Sequence, residues 1–343
     1  MSTIWIRADA NNEIGTGHVM RCLSIATEIE SLGHDVLFVV ADDASAKVLQ
    51  ERGRSYLELH TDYKNLDDEL QVLLPLLEEK RPKAMLVDSY FVTESYLKCL
   101  GEYITVAYMD DKVMFPYPVH TLINYNIYGV AELYHPASEE VQNFLLGPKY
   151  VPLRKEFLSS NYQVRESAEN VLITTGGGDK YNIAGEILQK ALEDTGSKQL
   201  HYHVICGVFN KHLKFLQEIA EKHENVHLYQ NVKNMSELMN LCDIAISAAG
   251  STLYELCAVG TPILCFSFVD NQEPMVKSFV EKNIVYYGGN YLEEPETMVD
   301  ILLNKVVELK ENLSARLEFS ERERTLVDGK GALRIAEHIC RLV

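Results

Sequence analysis

The chain has 343 residues, 47% of them apolar and 24% charged, which is ordinary for a globular protein and too long for one small core. Its net charge of -18 repels nucleic acid and anionic membrane surfaces, so any phosphate ligand has to be held by local donors such as helix N-termini or single arginines. No apolar run approaches the roughly 20 residues that span a bilayer, and the segment Met1–Arg7 lacks a signal-peptide pattern, so no membrane insertion and a cytoplasmic location are expected.

Seven cysteines, an odd number with no C-x-x-C pair, argue against a disulfide framework and a zinc site. The first predicted strand is Ile4–Ile6. A turn-rich loop, Asp9 to Gly17, leads from it into a helix expected over His18–Leu32, where Val19, Cys22, Leu23, Ala26 and Ile29 have helical spacing. Strand-like runs follow at Val36–Val40, Ala84–Val87 and Thr105–Met109, with helical patterns between them, so residues 1–152 read as a Rossmann-like domain. A polar stretch over Leu153–Ser167 reads as a linker. The alternation then restarts with strands at Val171–Thr175, Tyr202–Cys206, Val226–Tyr229, Ile244–Ser247 and Ile263–Phe266, and helices at Asn182–Leu192 and Thr252–Val259. Residues 168–343 therefore read as a second doubly wound domain, with the last helices capping it or crossing back onto the first. Open parallel sheets bind ligands at the carboxyl ends of their strands, and two facing sheets imply a central cleft.

Four loops at such strand ends carry candidate chemistry. In Ile14-Gly-Thr-Gly-His18, Gly15 and Gly17 let the backbone approach a ligand, but the spacing is not G-x-G-x-x-G, so no dinucleotide fingerprint is present. His18 is a usable base near neutrality; the competing reading is a helix cap or an exposed histidine. In the second loop, Gly250, Ser251 and Thr252 open a helix and offer donors to a pyrophosphate, and Glu255 can accept from ribose hydroxyls. The spacing of Thr252 and Glu255 is equally that of a capping box. Asn271 and Gln272 present amides after the next strand, or serve as turn and cap residues. Gly177, within Gly176-Gly-Gly178, frames a ligand or simply makes a strand-to-helix turn. Asp88 with Tyr90, and Asp110 with Asp111, close two strands, either capping helices or reading sugar hydroxyls; neither pair has metal-ligand spacing with a histidine, so no metal is expected.

The string Arg7-Ala-Asp-Ala-x-x-x-Ile-Gly-Thr-Gly-His-Val-Met-Arg-Cys-Leu23 resembles the N-terminal signature of the nucleotide-sugar hydrolases called PseG, which cleave UDP-2,4-diacetamido-2,4,6-trideoxy-β-L-altropyranose in pseudaminic acid synthesis. The resemblance continues through Asp88-Ser-Tyr90, Asp110-Asp111, Leu153–Phe157, Gly176–Asp179, Ser251–Glu255 and Asn271–Glu273, nearly the whole chain. Asp-Ser-Tyr departs from the expected Asp-His-Tyr. The second-domain motif is shared with a wider superfamily that includes the glycosyltransferase MurG. The resemblance implies a GT-B fold, with UDP held mainly by the second domain. It puts His18 in the place of the catalytic histidine, Tyr90 and Asn271 near the sugar or its leaving group, Glu255 on the ribose, and Arg21 among the substrate-binding residues. It implies a UDP-sugar as the partner and no cofactor. The rival readings are a MurG-like glycosyltransferase and a non-catalytic nucleotide-sugar-binding protein.

Overall fold

The computed structural model describes residues 3–11, 13–134, 140–158, 161–207 and 210–343, apart from the side chain of Asn271. By its contacts the chain divides into two compact units, Met1–Lys155 together with Lys330–Val343, and Glu156–Gly329.

The first unit is a seven-stranded sheet in which every pairing is parallel. In chain order its strands and helices are β1 (Thr3–Ala8), α1 (Gly17–Ser31), β2 (Asp35–Val40), α2 (Asp43–Gln50), β3 (Tyr56–Glu58), α3 (Leu66–Lys80), β4 (Ala84–Asp88), α4 (Glu94–Gly101), β5 (Thr105–Met109), β6 (Thr121–Asn124) and β7 (Asn143–Leu146). Central strands buried on both faces need near-continuous apolar runs, and Ile4-Trp-Ile6, Phe38-Val-Val40 and Met85-Leu-Val87 supply them. Alternate residues go to opposite faces. Ile4, Ile6, Phe38, Val40 and Leu86 join one apolar cluster with Val19, Cys22 and Ala26 of α1, while Trp5, Val39, Met85 and Val87 join another with Leu73, Leu77, Tyr96 and Leu97 of α3 and α4. The strands run in the order β3-β2-β1-β4-β5-β6-β7. The chain therefore reverses its direction of winding between β1 and β4, and the loops that leave these two neighbours splay apart to open a crevice.

Arg7 lies on the α3 and α4 face of β1 and is fully buried. Its fork meets both oxygens of Glu69 on α3, at 2.9 and 2.7 Å, and Asp9 at 2.5 Å; Tyr96 of α4 donates to Glu69 at 2.7 Å. Asp9 in turn accepts from the backbone of Ala41 after β2 at 2.8 Å. This buried ionic network fixes the start of the loop that leads to His18.

The second unit is a six-stranded parallel sheet with the order β10-β9-β8-β11-β12-β13. The elements are β8 (Asn170–Thr174), α5 (Ile183–Glu193), β9 (His201–Ile205), α6 (Leu213–Lys222), β10 (Val226–Tyr229), α7 (Met235–Leu241), β11 (Ile244–Ala248), α8 (Thr252–Val259), β12 (Ile263–Ser267), α9 (Glu273–Glu281), β13 (Tyr286–Asn290), α10 (Pro295–Glu311) and α11 (Leu313–Leu326). Its winding reverses between β8 and β11. Apolar residues of α5 and α10, among them Ile187, Leu188, Leu302 and Val306, pack on one face of the sheet with Ile173, Val204, Ile246 and Phe266.

The final helix, α12 (Gly331–Arg341), is grouped with the first unit. Ile335, Ala336 and Ile339 enter the cluster that holds α1, and Thr121 of β6 hydrogen-bonds His338 at 2.8 Å. At the other boundary, the stretch expected as a linker from 153 to 167 is built into the second unit from Glu156 onward. Phe157 and Tyr162 are buried, and the Arg316 guanidinium of α11 donates to the carbonyls of Arg165 and Glu166 at 2.8 Å each. The second unit thus starts about a dozen residues before the expected boundary, because a polar composition hid two aromatic anchors.

Among the described residues no helix is long and apolar enough to cross a membrane, and no group of three or more His, Cys, Asp or Glu could hold a metal ion. The cysteines are all free thiols.

Glu323 of α11 is fully buried and accepts from the backbone N–H of Ile263 at 2.9 Å. Burial drives its carboxyl well above the ordinary glutamate range, against a weaker opposing pull from that backbone N–H and the neighbouring arginines. A raised folded value means the folded state holds a proton that the unfolded chain releases, so this residue's contribution falls as pH rises above the ordinary glutamate range. Glu323→Gln keeps the accepting oxygen and removes the titration. The variant is expected to gain thermal stability relative to the parent progressively from pH 5 to pH 8, as followed by thermal unfolding at each pH; a constant difference across that range contradicts the assignment.

Candidate active site and nucleotide cradle

In the first unit, β1 and β4 end side by side, with Ala8 in register with Asp88. The loop after β1 carries Gly15 in a left-handed conformation, φ 72°, which glycine adopts without strain. It delivers the chain into α1, where Gly17 is the first helical residue and His18 the second. The preceding Thr16 makes no side-chain capping bond, and no acidic residue sits in the first turn. A Cβ at Gly17 would meet nothing within 4 Å, so the space before this backbone is open.

His18 is neither exposed nor a cap. It is 4% exposed, and its Nδ1 lies 2.6 Å from Oδ1 of Asp88, which is itself 1% exposed. Tyr90 meets the imidazole edge-on, with ring centroids 4.4 Å apart. Among the described residues Nε2 has no protein hydrogen-bond partner.

Arg21, one turn along α1, donates from Nε to Oδ2 of Asp88 at 2.6 Å and from Nη2 to Oδ1 at 2.5 Å. Its Nη1 donates to Tyr125 at 2.7 Å and to Asp111 at 3.2 Å. Burial pushes the Asp88 carboxyl up, but the charges and hydrogen bonds of Arg21 and His18 outweigh it and hold the group well below the usual carboxylate range. Asp88 is therefore an ionised, desolvated acceptor aimed at the imidazole.

Asp111 faces the same place. It accepts from Arg21, from the Tyr90 hydroxyl at 3.3 Å and from the Asn126 amide at 3.1 Å. Burial, with Asp111 adding to it, raises the Tyr90 hydroxyl, which stays a proton donor. Lys112 sits over the Tyr90 ring, 4.4 Å from its centroid. Asp110 has a different task. It accepts from the hydroxyls of Tyr117 and Tyr134 at 2.8 and 2.7 Å and from the backbone of Lys112 and Val113, and so builds the turn after β5.

In the second unit the reversal between β8 and β11 sets two helix starts side by side, and they differ. Asp179 accepts from the backbone N–H groups of Ile183 and Ala184 at 2.8 and 2.9 Å, so a protein carboxylate already occupies the start of α5. Gly177 lies in the exposed turn before it, and its backbone backs onto Gly207, where a side chain would clash with the carbonyls of Gly176 and Gly177. At α8 the N-cap is Ser251, without a side-chain capping bond, rather than Thr252. The capping box open in the sequence is therefore not built at Thr252, and Glu255 lies in the first turn of α8. Ser251 is exposed, and a Cβ at Gly250 would meet nothing within 4 Å. The free N–H groups and the macrodipole of this helix start suit an anion. Gln272 spends its side-chain oxygen on the backbone of Phe268, at 2.9 Å, and so closes the turn after β12. Asn271 lies in the 3-10 turn Asp270–Gln272, with its side chain outside the described residues.

The structure thus gathers His18, Arg21 and Tyr90 at one crevice of the first unit, and Gly250, Ser251, Thr252 and Glu255 at one helix start of the second. Sequence reasoning left Asp88 and Asp111 open between capping and sugar contact and missed Tyr125 and Asn126. The signal for Asp88 was its place at the end of β4, which becomes informative once β4 is known to flank β1.

The contrast between the two helix starts is testable. Asp179→Ala is expected to destabilise the protein by roughly 1–2 kcal/mol through loss of the α5 cap, and Ser251→Ala by only a few tenths. Denaturant unfolding of both variants, compared with the parent, checks the order; equal losses contradict it.

Residues 170–331 match the glycosyltransferase family 28 C-terminal domain. The chain is 26% identical over 277 residues to the UDP-2,4-diacetamido-2,4,6-trideoxy-β-L-altropyranose hydrolase of Campylobacter jejuni, across 79% of this chain and 93% of that protein. It is 24% identical over 292 residues to an uncharacterized protein of Methanocaldococcus jannaschii, across 81% of this chain, and spans 58% of that protein's length. The crystal structure of Acinetobacter baumannii MurG superposes with a TM-score of 0.71 at 14% identity, covering 99% of this chain and 100% of that one. The likeness to MurG establishes two parallel-sheet α/β units of the GT-B fold. The family 28 match falls almost wholly within the second unit, and about four fifths of the chain is similar in sequence to proteins named as UDP-2,4-diacetamido-2,4,6-trideoxy-β-L-altropyranose hydrolases.

Proposed function

We propose that this chain is an enzyme that processes a nucleotide-activated sugar, and that the reaction is inverting hydrolysis of a UDP-diacetamido-trideoxy sugar. The observation that carries the reading is the 2.6 Å contact between His18 Nδ1 and the buried carboxylate of Asp88. An ionised carboxylate has no proton to give, so this contact requires the proton on Nδ1. Nε2 then holds a lone pair and acts as a general base. Water gives its proton to Nε2 as its oxygen bonds to the anomeric carbon, while the bond from that carbon to the UDP oxygen breaks and the electron pair leaves with UDP. Asp88 stabilises the imidazolium that forms. UDP leaves as an ionised phosphate ester and needs little protonation, so one base suffices where ordinary glycosidases use two carboxyl groups.

The diphosphate is assigned to the start of α8, where Gly250, Ser251 and Thr252 offer donors, and the ribose to Glu255. Tyr90 and Asp111 are assigned to the sugar. Similarity to the Campylobacter hydrolase supports the choice of sugar, and similarity to a Helicobacter pylori protein named as both a pseudaminic acid cytidylyltransferase and such a hydrolase supports a place in pseudaminic acid biosynthesis. A transferase of the MurG kind shares the fold, and fold alone does not select between the two.

The purified protein with a UDP-diacetamido-trideoxy sugar and no acceptor is expected to release UDP and free sugar of inverted anomeric configuration, as read by NMR. An intact substrate, or turnover only when an acceptor is added, sinks the hydrolase reading. His18→Asn is expected to lower kcat by roughly 10²–10⁴-fold with UDP binding retained, as measured by steady-state kinetics and calorimetry.

A further inference from the structure

Sequence resemblance groups Arg21 with the substrate-binding residues, yet its guanidinium is committed inside the protein. Two of its nitrogens grip the two oxygens of Asp88, at 2.6 and 2.5 Å, and the third is tied to Tyr125 and Asp111. Four of its five N–H groups thus have protein acceptors, and the nitrogen that carries the fifth, Nη2, also lies 3.2 Å from Nδ1 of His18, which cannot accept from it while it donates to Asp88. The geometry points to Arg21 as a positioning residue that acts through Asp88: it holds the carboxylate so that His18 keeps its proton on Nδ1 and offers Nε2 as the base. The inference rests on the assignment of His18 as base.

Asp88 depends on its arginine to stay ionised. A carboxyl group this buried favours the neutral acid. A neutral Asp88 carries a proton that it can donate to Nδ1, and the ring then takes the other tautomer, with its proton on Nε2. An N–H at that position is a donor and accepts nothing from water. Misplacing this proton is the failure seen when the aspartate of a serine protease triad is replaced by asparagine. Arg21 prevents it twice over. Its charge keeps Asp88 ionised, and its fork fixes the carboxylate plane, so that Oδ1 is held against the ring. The groups that face the ring and its partner are Asp88 and Tyr90 from the end of β4, Arg21 and Cys22 from α1, and behind them Asp111 and Tyr125 from the ends of β5 and β6, with Lys112 over Tyr90. Of these, Arg21 alone sets a permanent positive charge on the Asp88 oxygens, since the ring of His18 is charged only when it is protonated.

Replacement by lysine and by methionine separates charge from bulk. Lysine retains a cation but loses the planar fork; methionine retains the aliphatic stem alone. Nitrogen-15 NMR of histidine-labelled protein at about pH 9, where ordinary imidazoles are neutral, reads the tautomer without substrate, with the His18 signal assigned by its loss in His18→Asn. The parent and Arg21→Lys are expected to show the proton on Nδ1, and Arg21→Met to show it moved to Nε2. With substrate, Arg21→Met is expected to lose on the order of 10³-fold in kcat with KM nearly unchanged, and Arg21→Lys to recover at least about tenfold of that loss. A proton on Nε2 in the parent overturns the inference, as does a raised KM with an unchanged tautomer in Arg21→Met. The parent and lysine spectra decide the tautomer even where the methionine variant fails to fold. The expected tautomers without any sugar release leave Arg21 as the residue that sets the ring and remove the hydrolase reading alone.

Discussion

A carboxylate with almost no water around it organises the first unit's site. Burying the charge of Asp88 is costly unless cationic and hydrogen-bonding groups surround it. The chain answers with Arg21, His18 and the thiol of Cys22, all on the first turns of one helix, α1. Those partners have to arrive together, because they share a helix face at i, i+3 and i+4 spacing. The position of α1 is in turn fixed by the loop that leaves β1, and that loop starts from the Arg7, Asp9 and Glu69 network. One buried charge therefore dictates the identity of several residues that never meet a ligand.

The two sheets reverse their winding in the same way and put the crevice to different uses. In the first unit the crevice collects side chains: an imidazole, two carboxylates, a guanidinium and a phenol. In the second it leaves backbone exposed. There the carboxylate of Asp179 neutralises the start of α5 and the start of α8 has no such guest. A protein with a net charge of -18 has few ways to attract a diphosphate, and an uncapped helix start is one that adds no side-chain charge.

Much of this was legible in the amino-acid order. The apolar runs of β1, β2, β4, β5 and β8 through β12 are strong signals, and the glycine loop before α1 and the Gly250–Thr252 loop both stand where strands end. The short strands β3, β6, β7 and β13 gave no usable pattern; β13 even contains Gly288 and Gly289, which weaken a strand signal. Asp88 was visible as a strand-end acid, but its role depends on β4 lying beside β1, and strand order is a long-range property that no local window contains. Arg21 illustrates the reverse difficulty. A motif marks it as functional without saying whether its charge faces a ligand or another residue, and only its distances to Asp88, Asp111 and Tyr125 supply the direction.

The grouping of α12 with the first unit has a consequence for biogenesis. Residues 156–329 are synthesised in full before the helix that covers α1 with Ile335, Ala336 and Ile339 leaves the ribosome. Until then α1 presents bare apolar surface on that side, and the first unit waits with its sheet made but its last helix missing, while the unit encoded after it has every segment it needs to fold. Assembly of the histidine-bearing helix is thereby postponed until the second unit has been made, so a product cut short before α12 is left with an unsealed first domain for quality control to recognise.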